Sequence, residues 1–483
     1  MSLHDLLEVR CIWKGPTQLI NLNNLEGLEV FGCKKLIRLL TLTLAQSLQN
    51  LKILKIERCD ELEHLIVEDE EDHILSSESH LQPLYFPKLD VVKVKECNKL
   101  KCLFPMAIAH NLLELSSLKV EGASQLVEVF AHEDEGDTLV QKDVTFPKLK
   151  DITLKRLPSL LNFCPRKYHV ILPDLHNLEV KNCPNMTRSF VNTLDKTVHL
   201  NGEQCLLNLE ELKIKNCGGL QEVFKIKGLL TREGEQHNVL LSRLKEIWLH
   251  DLPELRCIWK GPTKLINLNN LEHLEVIGCK KLIHLFTPTL AQSLQNLKFL
   301  EIGRCDELEY LIAKDEEDQI LSASHLQPLC FPKLEKVKVN ECNKLKRLFP
   351  MTIIDSLLVL ENLEVKGASQ LVEIFAQEDD EEIVVPKDVT LPQLRKISLE
   401  QLPCLVNFCP RNYHVILPDF WDLEVQRCLN MTTSFTHYVA YESVQINGEV
   451  TQVDEKDEPT GISASSPVIT IWPANKDGII WSR

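Results

Sequence analysis

Leu51-Lys52-Ile53-Leu54-Lys55-Ile56-Glu57-Arg58-Cys59-Asp60-Glu61-Leu62 spells a unit, L-x-x-L-x-[LIV]-x-x-C-x-x-L, that returns at 209–220 and 271–282. Side chains alternate across an extended strand, so the fourth and sixth positions, here Leu54 and Ile56, point to the same side. One unit alone has nothing to bury them against. Stacked in parallel, each unit covers the leucines of its neighbour and shares strand hydrogen bonds with it. Outward from this stretch, fourteen such units follow one another, beginning at Leu25, Leu51, Leu89, Leu115, Leu149, Leu175, Leu209, Leu244, Leu271, Leu297, Leu334, Leu360, Leu394 and Phe420, at spacings from 26 to 38 residues. Such spacings belong to a solenoid with one coil per unit. Fourteen strands at roughly 4.8 Å predict a sheet about 65 Å long, which is a large docking surface.

The fold class that follows is α/β: a horseshoe-shaped leucine-rich-repeat solenoid with a concave parallel β-sheet and an irregular, short-helical convex side. Short helices are expected at 45–49 and at 291–295, and Phe-Pro steps at Phe86, Phe146 and Phe331 punctuate the return segments. A longer duplication is laid over the coils. Arg10-Cys11-Ile12-Trp13-Lys14-Gly15-Pro16-Thr17 reappears 246 residues later from Arg256, and Asn162-Phe163-Cys164-Pro165-Arg166 reappears 245 residues later from Asn407. The chain therefore divides into a first copy (1–202), linking repeats (203–248), a second copy (249–449) and a divergent cap or disordered tail (450–483). Leu3 aligns with Leu249, the sixth position of its unit, so the chain is expected to begin inside a strand, as part of a longer polypeptide or a truncated gene product.

Composition narrows the chemistry. With 44% hydrophobic and 26% charged residues the chain should fold, and its net charge of -16 argues against general affinity for nucleic acid or anionic membrane. No apolar run approaches the roughly 18 residues of a membrane helix, and the first ten residues lack a signal core, so membrane insertion is not expected and a cytoplasmic location is. The nearest approach to a phosphate-cradling loop, Gly27 to Gly32 followed by Cys33, lacks the lysine and is itself a repeat strand. Neither H-E-x-x-H nor G-x-S-x-G occurs, so no catalytic residues and no cofactor are expected. Cys97 with Cys102 and Cys404 with Cys409 invite a metal test, but Arg347 stands where Cys102 would recur and Ser159 where Cys404 would precede. Nine of the seventeen cysteines instead share the ninth position of the unit, where a small thiol packs like a hydrophobe; they read as a structural ladder. Acidic runs at 68–72, 133–137, 315–318 and 378–382 fall in long return segments and read as solvated loops, with docking to a basic partner as the alternative. Two glycosylation sequons, at Asn185 and Asn430, matter only in a secreted chain.

Positions three, five, seven and eight should project from the concave sheet. In the middle coils they are mostly basic: Lys93, Lys95, Lys119, Lys155, Arg156, Lys181, Lys213 and Lys215 line one band of an otherwise acidic chain. Such a band would steer an acidic partner and fix its register; the alternative is ordinary solubilising lysine on strands. Trp248, Ile277 and Phe299 occupy outward positions on three consecutive coils, as Phe31 and Ile53 do near the start. They read either as a contact anchor or as residues covered by a return segment or a neighbouring domain.

These units resemble the carboxy-terminal repeats of plant nucleotide-binding leucine-rich-repeat disease resistance proteins of the coiled-coil class. The likeness rests on the C-x-x-L variant, on Phe146-Pro147-Lys148-Leu149-Lys150 leading to Leu157-Pro158-Ser159-Leu160, and on Leu252-Pro253-Glu254-Leu255 leading to Ile258-Trp259, and it covers residues 3–435. It implies an intracellular immune receptor whose repeats hold the receptor off at rest and help recognise a pathogen effector or a guarded host protein. It also implies contact with the nucleotide-binding switch domain of the same receptor. The coiled coil and that switch domain are not matched in this chain, so nucleotide exchange and signalling are not carried over. A second reading is an adaptor that presents substrates to a ubiquitin ligase or scaffolds another assembly.

Overall fold

The computed structural model describes residues 1–13, 20–67, 84–131, 142–165, 167–187, 206–225, 240–261, 266–313, 330–377, 387–438 and 468–473. Fifteen parallel strands form one open sheet in which each strand pairs with that of the next coil. Fourteen of them occupy positions three to seven of the fourteen units, as at Ile53–Glu57 and Val91–Lys95; the remaining one, Ser2–His4, places Leu3 opposite Val30, a sixth position. The register never slips along the described coils. Leu54 lies opposite Val92 and Ile56 opposite Val94, so inward residues stack on inward residues along the whole sheet. In the inner coils this alignment buries the fourth and sixth positions almost completely, 0% exposed at Leu54 and 1% at Ile56, and the first, ninth and twelfth with them, whereas in the last coil Leu423 is 39% exposed. The hydrophobic effect therefore acts between coils rather than within one.

What ends each strand is a backbone feature. The eighth residue has a positive φ in every coil, from Asp5 at 50° and Arg58 at 56° to Gly278 at 71° and Arg427 at 56°. That left-handed step turns the chain out of the strand toward the core, while its N–H still donates to the next coil, as Arg58 N does to Lys95 O at 2.9 Å. Gly278 shows why some coils need glycine there: a Cβ would come 2.6 Å from Asp251 Oδ1 and 3.2 Å from its Cα. The ninth-position cysteines follow at once. Each of the nine donates its Sγ to the carbonyl of the seventh residue, from 3.4 Å for Cys305 to Gly303 O to 3.9 Å for Cys279 to Ile277 O. A hydrogen bond to the neighbouring ladder thiol together with burial pushes the Cys59 and Cys183 thiols up, so they stay protonated at neutral pH and are poor nucleophiles and metal ligands.

The convex side carries the short helices expected and, beyond them, short paired strands. Short strands begin at the fourteenth position and pair in parallel between coils: Arg38–Thr41 with His64–Val67, Glu222–Lys225 with Cys257–Lys260, and a four-stranded row from His284–Phe286 to Glu373–Ala376. Coils this tight bring their return legs to about one strand spacing from each other, and the backbone groups pair because burying them unpaired would be costly. Helices do interrupt this row. Leu42–Ser47 and Pro288–Ser293 begin three residues before the expected starts, because Thr41 and Thr287 cap them by accepting from Leu44 N and Leu290 N at 3.4 Å. Inside the return legs runs a file of phenylalanines, most of them at position sixteen. Phe104 lies 6.1 Å from Phe130, and Phe349 lies 5.9 Å from Phe375, with Phe224 stacked on Trp259 at 4.9 Å between the two files. All three Phe-Pro rings, Phe86, Phe146 and Phe331, are core residues as well as punctuation. Beyond the last coil, Val468–Pro473 pairs antiparallel with Tyr413–Leu417 and with Thr433–Tyr438. The four acidic runs lie outside the described residues.

Candidate protein-binding face

The sheet face carries the basic residues in the expected places, but half of them are already occupied. Lys95 reaches Glu57 at 3.3 Å, Lys155 reaches Glu179 at 2.7 Å, and Arg156, on the left-handed turn, bridges Glu121 at 3.1 Å and Glu96 at 3.6 Å. Lys213 is held by Glu211. Lys93, Lys119, Lys181 and Lys215 make no ion pair among the described residues. Register sets these lysines against each other: Lys93 lies directly opposite Lys119, and Lys155, Lys181 and Lys215 succeed one another across three strands. Like charges directly opposite are unfavourable, so this arrangement is kept at a cost to the sheet.

Next to the lysines lies an aromatic stack. The Trp248 ring stacks on His273 at 4.2 Å, and His273 on Phe299 at 4.6 Å. Ile277, grouped with Trp248 and Phe299 on sequence position, is not part of the stack; it lies opposite Gly303, at whose Cβ position its side chain would be 3.7 Å away. His273 was the residue missed, because a histidine at position three carries no apolar signal. Its ring is oriented by Glu275, whose carboxylate also lies 2.8 Å from His250 Nε2. Trp248 is fixed from below, its Nε1 donating to Glu246 Oε2 at 3.1 Å, and Lys213 Nζ sits 5.7 Å from its ring centre. Where lysines and stack meet, a cleft of about 290 Å³ opens over three coils, lined by Lys181, Lys213, Lys215, Glu179, Trp248 and His250.

A second set of groups invisible in the sequence pattern sits on the return side. Glu128 and Glu373, equivalent positions in the two copies, bridge Asn162 and Asn407, and burial holds both carboxyls above the usual carboxylate range. The folded chain therefore binds these protons more tightly than the unfolded chain. Their contribution to stability is greatest below the unfolded value and declines as pH rises through the raised folded value. Glu373→Gln keeps an acceptor for Asn407 and removes the buried charge, so the variant is expected to be more stable than the parent at neutral pH and equal to it in acid. Urea midpoints measured across the acid-to-neutral range check this; a parent and variant that differ equally at every pH would refute it. Glu63 and Glu210 slope the other way, because hydrogen bonds to Lys101 and Lys245 hold them below the usual range.

The family of leucine-rich repeats described as plant disease resistance protein RPS2-like matches residues 1–60, 61–201, 191–306 and 307–448. The chain belongs to this family. It is also similar to an Arabidopsis thaliana protein whose name describes it, provisionally, as a disease resistance protein, at 27% identity over 173 residues, which is 35% of this chain and 12% of that relative. Among the described residues no helix is long and apolar enough to cross a membrane.

For these disease-resistance repeats the internal duplication is informative once the faces are known. Six complete coils of the first copy have partners in the second, from Leu25 with Leu271 to Leu175 with Phe420. At positions four, six, nine and twelve, all 24 residue pairs are identical. At positions three, five and seven, on the sheet face, 15 of 18 pairs differ. Several differences reverse charge: Lys55 with Glu301, Lys119 with Glu364, Glu121 with Lys366, Lys155 with Glu400. The eighth position, fixed by its left-handed turn, changes far less, with glycine at Gly32 and Gly278 and arginine at Arg58 and Arg304. Change is concentrated on the sheet face and absent from these four core positions beneath it.

Proposed function

We propose that the chain is the recognition and autoregulatory module of an intracellular plant immune receptor, working in defence without catalysis of its own. It binds a pathogen effector or a guarded host protein on the sheet face, and contacts a nucleotide-binding switch domain where the receptor carries one. The observation that supports this reading most is the divergence of the sheet face over unchanged core positions four, six, nine and twelve, because solubility alone would not require the two copies to differ in charge sign at matched positions. Family membership supports the setting in plant resistance, and the unpaired lysines support a partner with an acidic surface. A cytoplasmic location goes with this reading.

The test compares two variants of equal charge change. One reverses Lys93, Lys119, Lys181 and Lys215 to Glu on the face; the other reverses Lys99, Lys101, Lys344 and Lys346 on the return side. Both are screened in parallel with the parent against a panel of purified pathogen effectors and plant proteins. A partner of the parent should lose at least tenfold in affinity for the face variant and keep its affinity for the return-side variant. Equal loss for both, or no loss for the face variant, overturns the proposal.

A further inference from the structure

The cleft over the strands Asn177–Lys181, Glu211–Lys215 and Glu246–His250 brings lysines and an aromatic ring together on the sheet face. Of its three lysines Lys213 is held by Glu211, whereas Lys181 and Lys215 lie directly opposite each other in register and make no ion pair among the described residues. Its other wall is Trp248, held rigid by Glu246 below and by the His273 ring at 4.2 Å behind. Two lysines without an ion pair and an aromatic wall thus share about 290 Å³, the space of about ten water molecules or of a couple of side chains. Resting on the recognition reading above, we propose that this cleft seats a segment of a partner protein in which an aromatic side chain, packed on Trp248, is flanked by carboxylates bound to Lys181 and Lys215.

Three observations select this occupant. The cations are not gathered around one point; beyond the strand of Lys155, Lys119 and Lys93 lie at strand spacing from each other on the same face, which matches repeated carboxylates along a chain rather than a single compact anion. They are lysines with flexible stems, suited to point-charge steering of a carboxylate run rather than to bidentate capture. From Glu246 to Arg304 the face changes sign, with Glu246, Asp251, Glu275 and Glu301 against Arg304 before Lys336 and Lys338 follow on the next coil, so an acidic segment is disfavoured there and its acidic part ends at the tryptophan. The indole is a preformed anchor, since its rotamer is already fixed and little ordering remains on binding.

The duplication supplies variants that fit the fold. Ser2 stands at the position of Trp248 in the first coil, and Gln426 at the position of Lys181 in the last. Trp248→Ser and Lys181→Gln therefore place residues that the same strand geometry already carries. The probe is a dye-labelled synthetic peptide of alternating Asp and Glu around one central Phe, followed by fluorescence anisotropy against the whole chain, with urea midpoints as the folding control. The parent should bind it, with affinity falling as sodium chloride rises. W248S should weaken binding roughly tenfold, and so should replacing the peptide's Phe by Ala; the two losses together should not exceed either alone, as for two halves of one contact. K181Q combined with Lys215→Gln should weaken binding by a similar factor and flatten the salt dependence, while Trp248→Phe should restore most of what W248S loses. Unchanged binding to W248S, indifference to the peptide's Phe, or full displacement by millimolar inorganic phosphate each overturn the proposal. Should the face variant of the preceding section lose its protein partner while W248S and K181Q do not, the cleft assignment fails and the recognition face stands; loss in none of them removes both.

Discussion

Phe130→Ala is expected to cost about 3–5 kcal/mol of stability. The ring lies 6.1 Å from Phe104, 5.1 Å from Phe146 and 5.4 Å from Phe163, and it is fully buried in the file that runs through the return legs. Its neighbours belong to three adjacent coils, so truncation opens a cavity at two inter-coil interfaces at once. A solenoid shares stability only between neighbours, and the loss should therefore be local. Amides of Ser117–Glu121 and Asp151–Lys155 should lose hydrogen-exchange protection before those of the second copy do. The equivalent Phe375 touches Phe349 at 5.9 Å and Phe408 at 5.6 Å, but Leu391 stands where Phe146 stands. Phe375→Ala should accordingly cost less than Phe130→Ala. Equal urea-unfolding losses, or a loss under about 1 kcal/mol for Phe130→Ala, would mean that the file is filler and not a support.

The double variant Lys119→Glu with Lys181→Glu should separate stability from binding by moving them in opposite directions. In the parent, Lys119 lies opposite Lys93, and Lys181 lies between Lys155 and Lys215. A glutamate at either place converts a like-charge cross-strand pair into an attractive one, worth about 0.2–1 kcal/mol per pair. The urea midpoint at low salt should rise or hold. For an acidic partner the same change replaces attraction by repulsion over adjacent coils, a penalty of several kcal/mol, and affinity should fall about a hundredfold or more. Proteins commonly hold unfavourable local arrangements where function needs them. If the variant instead loses stability and binding together, the lysines support the sheet and the recognition reading loses its electrostatic basis. The fold itself places no demand here, since Glu364 already occupies the position of Lys119 in the second copy.

Much of this architecture was legible from the unit at 51–62 alone. Alternation across a strand fixes which residues face inward, and stacking fixes that Leu54, Ile56, Cys59 and Leu62 are covered by the next coil. The same alternation put Lys93, Lys119, Lys181, Lys215 and Trp248 on the sheet face without knowledge of any contact. Those are properties of one strand repeated, and a one-dimensional pattern contains them. Tertiary structure decided everything that depends on what a neighbouring coil offers. Return legs became strands because coils of this length lie close enough to pair, and the left-handed eighth residue is glycine, arginine, asparagine, aspartate, glutamine or glutamate in different described coils, so no single residue type announces it. Lys155 is neutralised and Lys215 is not because Glu179 happens to lie within 2.7 Å of the first. His273 joins the aromatic stack in place of Ile277 because the Trp248 ring leans diagonally toward the third position of the next strand, where His273 is in register with Glu246. Burial repeats with the backbone and is written in the sequence; contacts across the face depend on the reach of individual side chains between coils, and only the folded stack sets that.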